Sequence, residues 1–266
     1  MTETLNHTFV ICAYKESAYL EECLLSLLAQ TKKSKILIST STPNDHIRGI
    51  AEKYAIPLYV NEGEAGITGD WNYAVSLVDT KYLTIAHQDD VYEPTYAEQL
   101  IKKLDENKNP IIAFSEYFEI RNGERVYKNQ LLKIKKLMNF GFRISKRSRF
   151  LRRRVLSLGC SICCPAVTYS TKIFENFKFD KQFRFTCDWD AWERFSKLKG
   201  AFVYLKEPLM GHRIHEESET TNLTNSGERS VEEFKMLRRF WPSWIAKRIA
   251  KSYVSAQESN NLNKEK

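Results

Sequence analysis

Two adjacent carboxylates, Asp89 and Asp90, follow the apolar run Lys81 to Ala86. Side by side after a buried strand they repel each other unless positive charge is near. A hard divalent cation, Mg2+ or Mn2+, supplies that charge, because such ions prefer oxygen ligands. The competing reading is a solvated turn that caps a helix before Pro94. A second acidic pair, Asp188 and Asp190, flanks Trp189. On a strand the two would share a face, and before a helix over Ala191 to Lys199 they read as N-terminal caps. His212 and His215 are three apart, but Pro208 and the strand-like AFVYL before it place them in a loop. They lack further ligands for a zinc site. Cys160, Cys163 and Cys164 lack a second ligand pair at metal spacing and read as buried thiols. No Ser-His or Cys-His pairing offers a nucleophile.

The elements that must position these groups alternate. His7 to Ala13, Lys35 to Ser39, Pro57 to Asn61, Lys81 to Ala86 and Pro110 to Glu116 read as strands. Between them, Ser17 to Gln30, Ile47 to Tyr54, Thr68 to Val78 and Thr95 to Glu106 read as helices, the first with Ser17 as its cap. Such alternation implies a mostly parallel sheet covered by helices on both faces. Ligands of such sheets bind beyond the carboxyl ends of the strands. That edge gathers Cys12 to Glu16, Ser39 to Asp45, a loop with Gly63, Gly66 and Gly69 leading into Asp70-Trp71-Asn72, and His87 to Asp90. After residue 116 the pattern changes. A hairpin is expected at Asn122-Gly123, followed by an amphipathic basic stretch, then apolar segments over 158–210 and a polar end after about Gln257.

Composition bounds the class. The 266 residues are 42% apolar and 28% charged, with 10 glycines and 7 prolines, which excludes collagenous, low-complexity and wholly disordered chains. Apolar runs are too short and too charged for a membrane span of about 20 residues. The first residues lack a secretory pattern. Six cysteines suit reduced thiols in a cytosolic protein. The net charge is +8, yet Lys133 to Arg154 holds ten basic residues and Lys235 to Lys251 six, neither with an acid. The remainder is therefore acidic by eight charges. Such basic appendages suit an anionic membrane surface. Phe240, Trp241, Trp244, Ile245 and Ile249 among basic residues suggest either an interfacial helix or one packed on the body. Nucleic acid is not an expected partner, since no helix-turn-helix, RNA-recognition or zinc-finger signature is present.

The string FVICAYKESAYLEECLLSLLAQT, KILISTSTPND and GITGDWNYAVSLVDTKYLTIAHQDDVYEPTY, joined later by CDWDAWERFSKLKGAFVYLKEPLMGHRIHEES, resembles family 2 glycosyltransferases of the GT-A fold. The resemblance spans residues 7 to 120 and resumes over 187 to 218. It implies a Rossmann-like α/β sheet flanked by helices. It also implies transfer of a sugar, with inversion, from a nucleotide-diphosphate sugar to a hydroxyl on a glycan or lipid-linked acceptor. Ala13, Tyr14 and Glu16 then match the loop against base and ribose, and Gly66 to Asn72 the loop near the sugar diphosphate. Asp89 matches the aspartate facing ribose or sugar, Asp90 the metal ligand, Asp188 the general base, and His215 a histidine near metal and diphosphate. His87 would hydrogen-bond sugar or acceptor, or serve structure. Where relatives often carry an Asp-Asp pair after the second strand, Ser39 and Thr40 stand, so the hydroxyls of Thr40 and Ser41 are left to meet the base. Where relatives often carry Arg-Asn, Trp71-Asn72 stands, and a lysine or arginine elsewhere is needed for that phosphate contact. The expected organisation is one continuous catalytic domain. Residues 1–116 form its nucleotide-sugar half, 117–230 its acceptor and base half, and 231–266 a basic helical tail. The resemblance further implies bacterial cell-surface glycan synthesis at the inner face of the membrane. Its competitors are a non-catalytic scaffold on a degenerate GT-A fold and a basic peripheral membrane binder.

Overall fold

The strand His7–Ala13 (β1) is buried at six of its seven positions, because layers cover both of its faces. Phe9 and Ile11 point into one core with Leu20, Leu24 and Leu100, whereas Val10 points into the other with Leu83, Ile85 and Phe114. The computed structural model, which describes residues 5–215 and 228–258, builds outward from this strand. Lys35–Thr40 (β2), Leu58–Val60 (β3) and Tyr82–His87 (β4) complete a parallel set in the order β3-β2-β1-β4. Leu20–Leu28 (α1), Asp45–Lys53 (α2) and Ile67–Ser76 (α3) connect them. The expected alternation is present throughout this part. Leu20, Cys23, Leu24 and Leu27 of α1 are buried at the spacing read from sequence. Ser17 does not cap α1, which starts after Tyr19. The Ser17 hydroxyl accepts from the Tyr19 N–H instead, one step ahead of the helix.

Beyond β4 the sheet changes character. Val91–Tyr92 (β5) is followed by Tyr96–Asp105 (α4), Pro110–Arg121 (β6) and Glu124–Val126 (β7). Asn122 and Gly123 both take positive φ, at 50° and 82°, as a tight hairpin between β6 and β7 requires. Gln130–Ile144 (α5) and Arg149–Leu156 (α6) carry the basic stretch. Val167–Ser170 (β8), Cys187–Ser196 (α7) and Ala201–Ile214 (β9) follow. β8 runs antiparallel between β4 and β6, and β9 lies parallel to β6 and antiparallel to β5, which closes a nine-stranded sheet. Among the described residues no helix is long and apolar enough to cross a membrane.

Two sequence expectations need correction here. Pro208 does not end the AFVYL strand. The register shifts around Glu116, which faces Pro208, absorb the proline in an irregularity. The strand then resumes and carries His212 to its place opposite Glu119, so His212 lies on a strand rather than in a loop. α7 also begins four residues earlier than read, with Asp188 and Asp190 inside its first turn and Thr186 at its N-cap.

The basic segments are not free appendages either. Arg152 is fully buried and donates to the carbonyls of Leu198 and Gly200, and Arg153 pairs with the buried Glu193. Glu228–Arg238 (α8) and Ser243–Glu258 (α9) pack onto the body. Phe240, Trp241 and Ile249 turn inward, and the Trp241 indole donates to the Ser157 carbonyl at 2.7 Å. Packing on the body is thus the arrangement found, with Trp244 left exposed.

Gly211 shows how closely β9 approaches β6. A Cβ there would lie 2.6 Å from Cε2 of the buried Phe118 ring. Gly211→Ala is expected to cost about 1–3 kcal/mol of stability. A lowered urea midpoint at unchanged slope checks it.

Candidate active site

β4 delivers His87, Asp89 and Asp90 to the carboxyl edge of the parallel strands. β5 follows at once and pairs Val91 with Gly211 of β9. That pairing sets the two residues after Gly211 against the aspartates. Asp90 is fully buried. Its Oδ1 accepts from the Arg213 N–H at 3.0 Å and lies 3.0 Å from His212 Nδ1. Burial opposes the charged form of His212, but the Asp90 carboxylate outweighs it and raises the histidine pKa above its ordinary value. The Arg213 guanidinium donates to the Asp89 carbonyl at 2.9 Å and to Glu22 at 2.5 Å, and lies over the Tyr19 ring. His215 Nε2 lies 3.0 Å from Asp89 Oδ2. Burial works against the Asp89 carboxylate, yet His215 and the nearby His87 and His212 hold its pKa below the ordinary value.

Asp90 Oδ2 and His87 Nε2 are buried and make no hydrogen bond. Leaving such atoms unpaired is costly, so they fit a missing ligand better than a solvated turn. His87, Asp89 and Asp90 each offer a ligand atom, all within 4.8 Å of one another. The two carboxylates of this cluster offer the oxygen ligands that Mg2+ and Mn2+ prefer. His87 is the third member of this cluster, and His215 touches Asp89. Trp71 stacks on the His87 ring at 5.7 Å and so positions that histidine.

The other loop tips meet on the same edge. Ala13 ends β1 and pairs with Thr40 of β2. Gln88 clamps the next residue, accepting from the Tyr14 N–H at 3.0 Å and donating to its carbonyl at 2.9 Å. The Lys15 N–H bonds Thr42 Oγ1, and Glu16 is exposed. Thr40 Oγ1 accepts from the Thr42 N–H. Ser41 donates to Asp70 Oδ2 at 2.9 Å and Asn61 donates to Asp70 Oδ1 at 2.8 Å. A carboxylate therefore stands beside the Ser39-Thr40 tip, contributed by α3 rather than by β2. Gly66 takes φ 102° at the start of α3, a conformation that favours glycine. The Asn72 amide donates to the Phe179 carbonyl and accepts from the Phe179 N–H. It pins the 179 segment, and Trp71 packs on the same phenylalanine.

Asp188 sits in the first turn of α7, half-buried, with Oδ1 accepting from the Trp189 N–H and Oδ2 from the Cys160 thiol at 3.4 Å. Burial foremost raises its pKa above the ordinary carboxylate value. The Cys163 thiol lies within electrostatic range of Asp90, Asp188 and Lys135 together. Asp190, by contrast, is fully buried and paired with Arg239 and Arg194, as helix support. All six thiols are free, and burial pushes the pKa of each up, which leaves no thiolate for covalent chemistry. Glu232 of α8 accepts from the N–H groups of Arg184, Phe185 and Thr186, just before α7. Sequence gave no signal for it, because acceptor and donors lie more than forty positions apart. Glu216, Glu217 and Ser218 of the HRIHEES segment lie outside the described residues.

A family model described as glycosyl transferase family 2 matches residues 8–177, well over half of the chain. The chain belongs to this family. Glycosyltransferase GlyA of Streptococcus pneumoniae is 23% identical over 216 residues, 79% of this chain but 31% of the relative. An uncharacterized glycosyltransferase of Methanocaldococcus jannaschii is 26% identical over 214 residues, 77% of this chain and 69% of the relative. The chain thus spans under a third of the pneumococcal relative's length. Among solved structures, Staphylococcus aureus TarS 1-349 in complex with UDP-GlcNAc superposes with a TM-score of 0.64 at 13% identity, over 96% of this chain and 73% of that one. At that identity the likeness speaks for the fold, and it agrees with the GT-A architecture expected from sequence.

Two substitutions near Asp188 should move stability in opposite directions. Glu232→Ala leaves three N–H groups short of their acceptor and is expected to cost about 2–3 kcal/mol. Asp188 has its folded pKa raised, so its stabilising contribution is complete in acid and is lost as pH rises through that pKa. Asp188→Asn is therefore expected to be at least as stable as the parent at neutral pH. Paired urea titrations check both.

Proposed function

We propose that the chain is a metal-dependent, inverting glycosyltransferase that moves a sugar from a nucleotide-diphosphate sugar to a hydroxyl acceptor, in bacterial cell-surface glycan synthesis. The observation that carries the reading is the buried, half-satisfied Asp90 carboxylate beside His87 and Asp89. The first loop at Ala13, Tyr14 and Glu16 takes the nucleoside. The Asp70 carboxylate, with Thr40 and Ser41, supplies hydrogen-bonding groups to the base where relatives use an acidic pair. Gly66 leaves room for the donor at the start of α3.

Asp90, Asp89 and His87 would hold Mg2+ or Mn2+, which when bound supplies Lewis-acid stabilisation to the departing diphosphate. His215 keeps Asp89 oriented and ionised. Asp188 accepts the proton of the acceptor hydroxyl as its oxygen attacks the sugar. The new glycosidic bond forms as the sugar–phosphate bond breaks, and the electron pair leaves with the diphosphate. An enzyme nucleophile is not needed, consistent with the protonated thiols. A raised pKa makes Asp188 a stronger base than an ordinary carboxylate. Holding donor and acceptor in line lowers the barrier by up to ~7–11 kcal/mol in the best-oriented cases.

The test is a thermal-shift panel of nucleotide-sugars with and without Mn2+, followed by nucleotide-release assays. Stabilisation by one donor class only when Mn2+ is present, followed by turnover, is the expected result. Donor binding without turnover under any acceptor supply would instead support the scaffold reading. Asp90→Ala is expected to abolish both metal-dependent stabilisation and turnover. Asp188→Asn is expected to keep donor binding and lower kcat by about 10²–10⁴-fold. The acid limb of the kcat profile should lie above the ordinary carboxylate pKa of about 4, with activity lost as pH falls through it.

A further inference from the structure

α5 has two working faces. Its inner face buries Leu132, Asn139 and Phe142, and directs Lys135 to the Tyr117 hydroxyl at 2.9 Å, beside Cys163. Its outer face is apolar where a water-facing helix should be polar. Ile134, Leu137, Phe140 and Ile144 recur at three- and four-residue spacing, so they share one side. Leu137 is 76% exposed and Ile144 67%. Phe150 of α6, 69% exposed, extends the patch. Large side chains clustered this way on a water-facing surface mark a contact site.

The charges along this stretch of chain have one sign. From Arg125 to Phe174 the chain contains no Asp or Glu. Lys133, Lys136 and Arg143 of α5, Lys146 and Arg147 of the turn, and Arg149 of α6 are all exposed beside the apolar residues. Arg143 lies over the Phe140 ring at 5.6 Å and Arg154 over the Phe150 ring at 5.5 Å. Cations thus stand directly against the exposed rings, with apolar stems that can lie along an apolar phase while the heads stay in water.

We propose that the outer face of α5 and α6 docks on an anionic lipid bilayer, which places the acceptor side of the cleft at the membrane surface. The complementarity is that of a field rather than of pairs. Along residues 125–174 no acidic residue interrupts the basic stretch, and protein interfaces are depleted in lysine. An apolar stripe fringed by lysine and arginine fits the boundary between headgroups and acyl chains. Because Lys135 on the inner face of the same helix reaches Tyr117, whose ring packs on His212 beside Asp90, docking orients the Asp90 side of the site toward an amphiphilic acceptor. This last step rests on the transferase reading; the docking itself does not.

Co-sedimentation with vesicles tests it, using phosphatidylcholine alone and phosphatidylcholine partly replaced by phosphatidylglycerol. Binding to the anionic vesicles only, weakening as salt rises, is expected. Leu137→Glu with Phe150→Glu is expected to weaken it by at least ~10-fold. Lys133→Ser, Lys136→Ser and Lys146→Ser, which remove no hydrogen bond, are each expected to weaken it about fivefold. The donor-dependent thermal shift should be unchanged in all of these, which reports folding and keeps this test separate from that of the donor site. Equal binding to both vesicle types would overturn the proposal. So would undiminished binding of the variants, loss on Trp244→Glu alone, or a wild-type dimer in light scattering that Leu137→Glu dissolves.

Discussion

A carboxylate with no exposure to water and only one of its two oxygens hydrogen-bonded is the constraint around which this fold is arranged. Burying Asp90 costs free energy that must be offset locally. A main-chain N–H and the His212 ring offset part of it at Oδ1. Both come from the far end of a strand more than 120 positions away. The short β5 pairing makes that possible, because it fixes Val91 opposite Gly211 and so sets the following residues of β9 against the aspartates. The irregularity at Pro208 and the glycine at 211 are the local means by which β9 reaches that place. Oδ2 makes no hydrogen bond, and the stacked His87 stands beside it.

The second carboxylate is held differently. Asp188 lies in the first turn of a helix, where the helix dipole favours negative charge, yet burial still raises its pKa. Its neighbours explain the balance. Asp190 and Glu193 on the same helix are neutralised by Arg239, Arg194, Arg153 and Lys197, so their charges are locked into packing. Asp188 has no such cation among its hydrogen-bond partners, which are a main-chain N–H and a thiol. It is the one acid of the three on this helix whose hydrogen-bond partners include no cation. Glu232 fixes the turn that precedes it, and so couples α8 to the site.

Much of this was legible along the chain, and the missing parts share a cause. The alternation of β1 to β4 with their helices is periodic and local, and the Asp89-Asp90 pair follows a strand directly, so both could be read from residue types. The hairpin at Asn122-Gly123 was legible because left-handed φ restricts the residues allowed there. Hidden were the Gln88 clamp on Tyr14, the placement of Asp70 beside Ser41, the stacking of Trp71 on His87 and the anchoring of Trp241 on Ser157. Each is a contact between segments distant in sequence, which no periodicity encodes. Ser17 misled for the reverse reason: a hydroxyl before a helix is a cap only if the chain enters the helix at that residue. Pro208 misled because an irregularity in pairing lets a proline stay in a strand.

The most direct measurement is electron paramagnetic resonance of Mn2+ titrated into the protein with a nucleoside diphosphate present. Binding of one ion by the parent chain, and its loss in Asp90→Asn with folding intact, is what a half-satisfied buried carboxylate requires. Equal Mn2+ binding by the parent and Asp90→Asn proteins would contradict it.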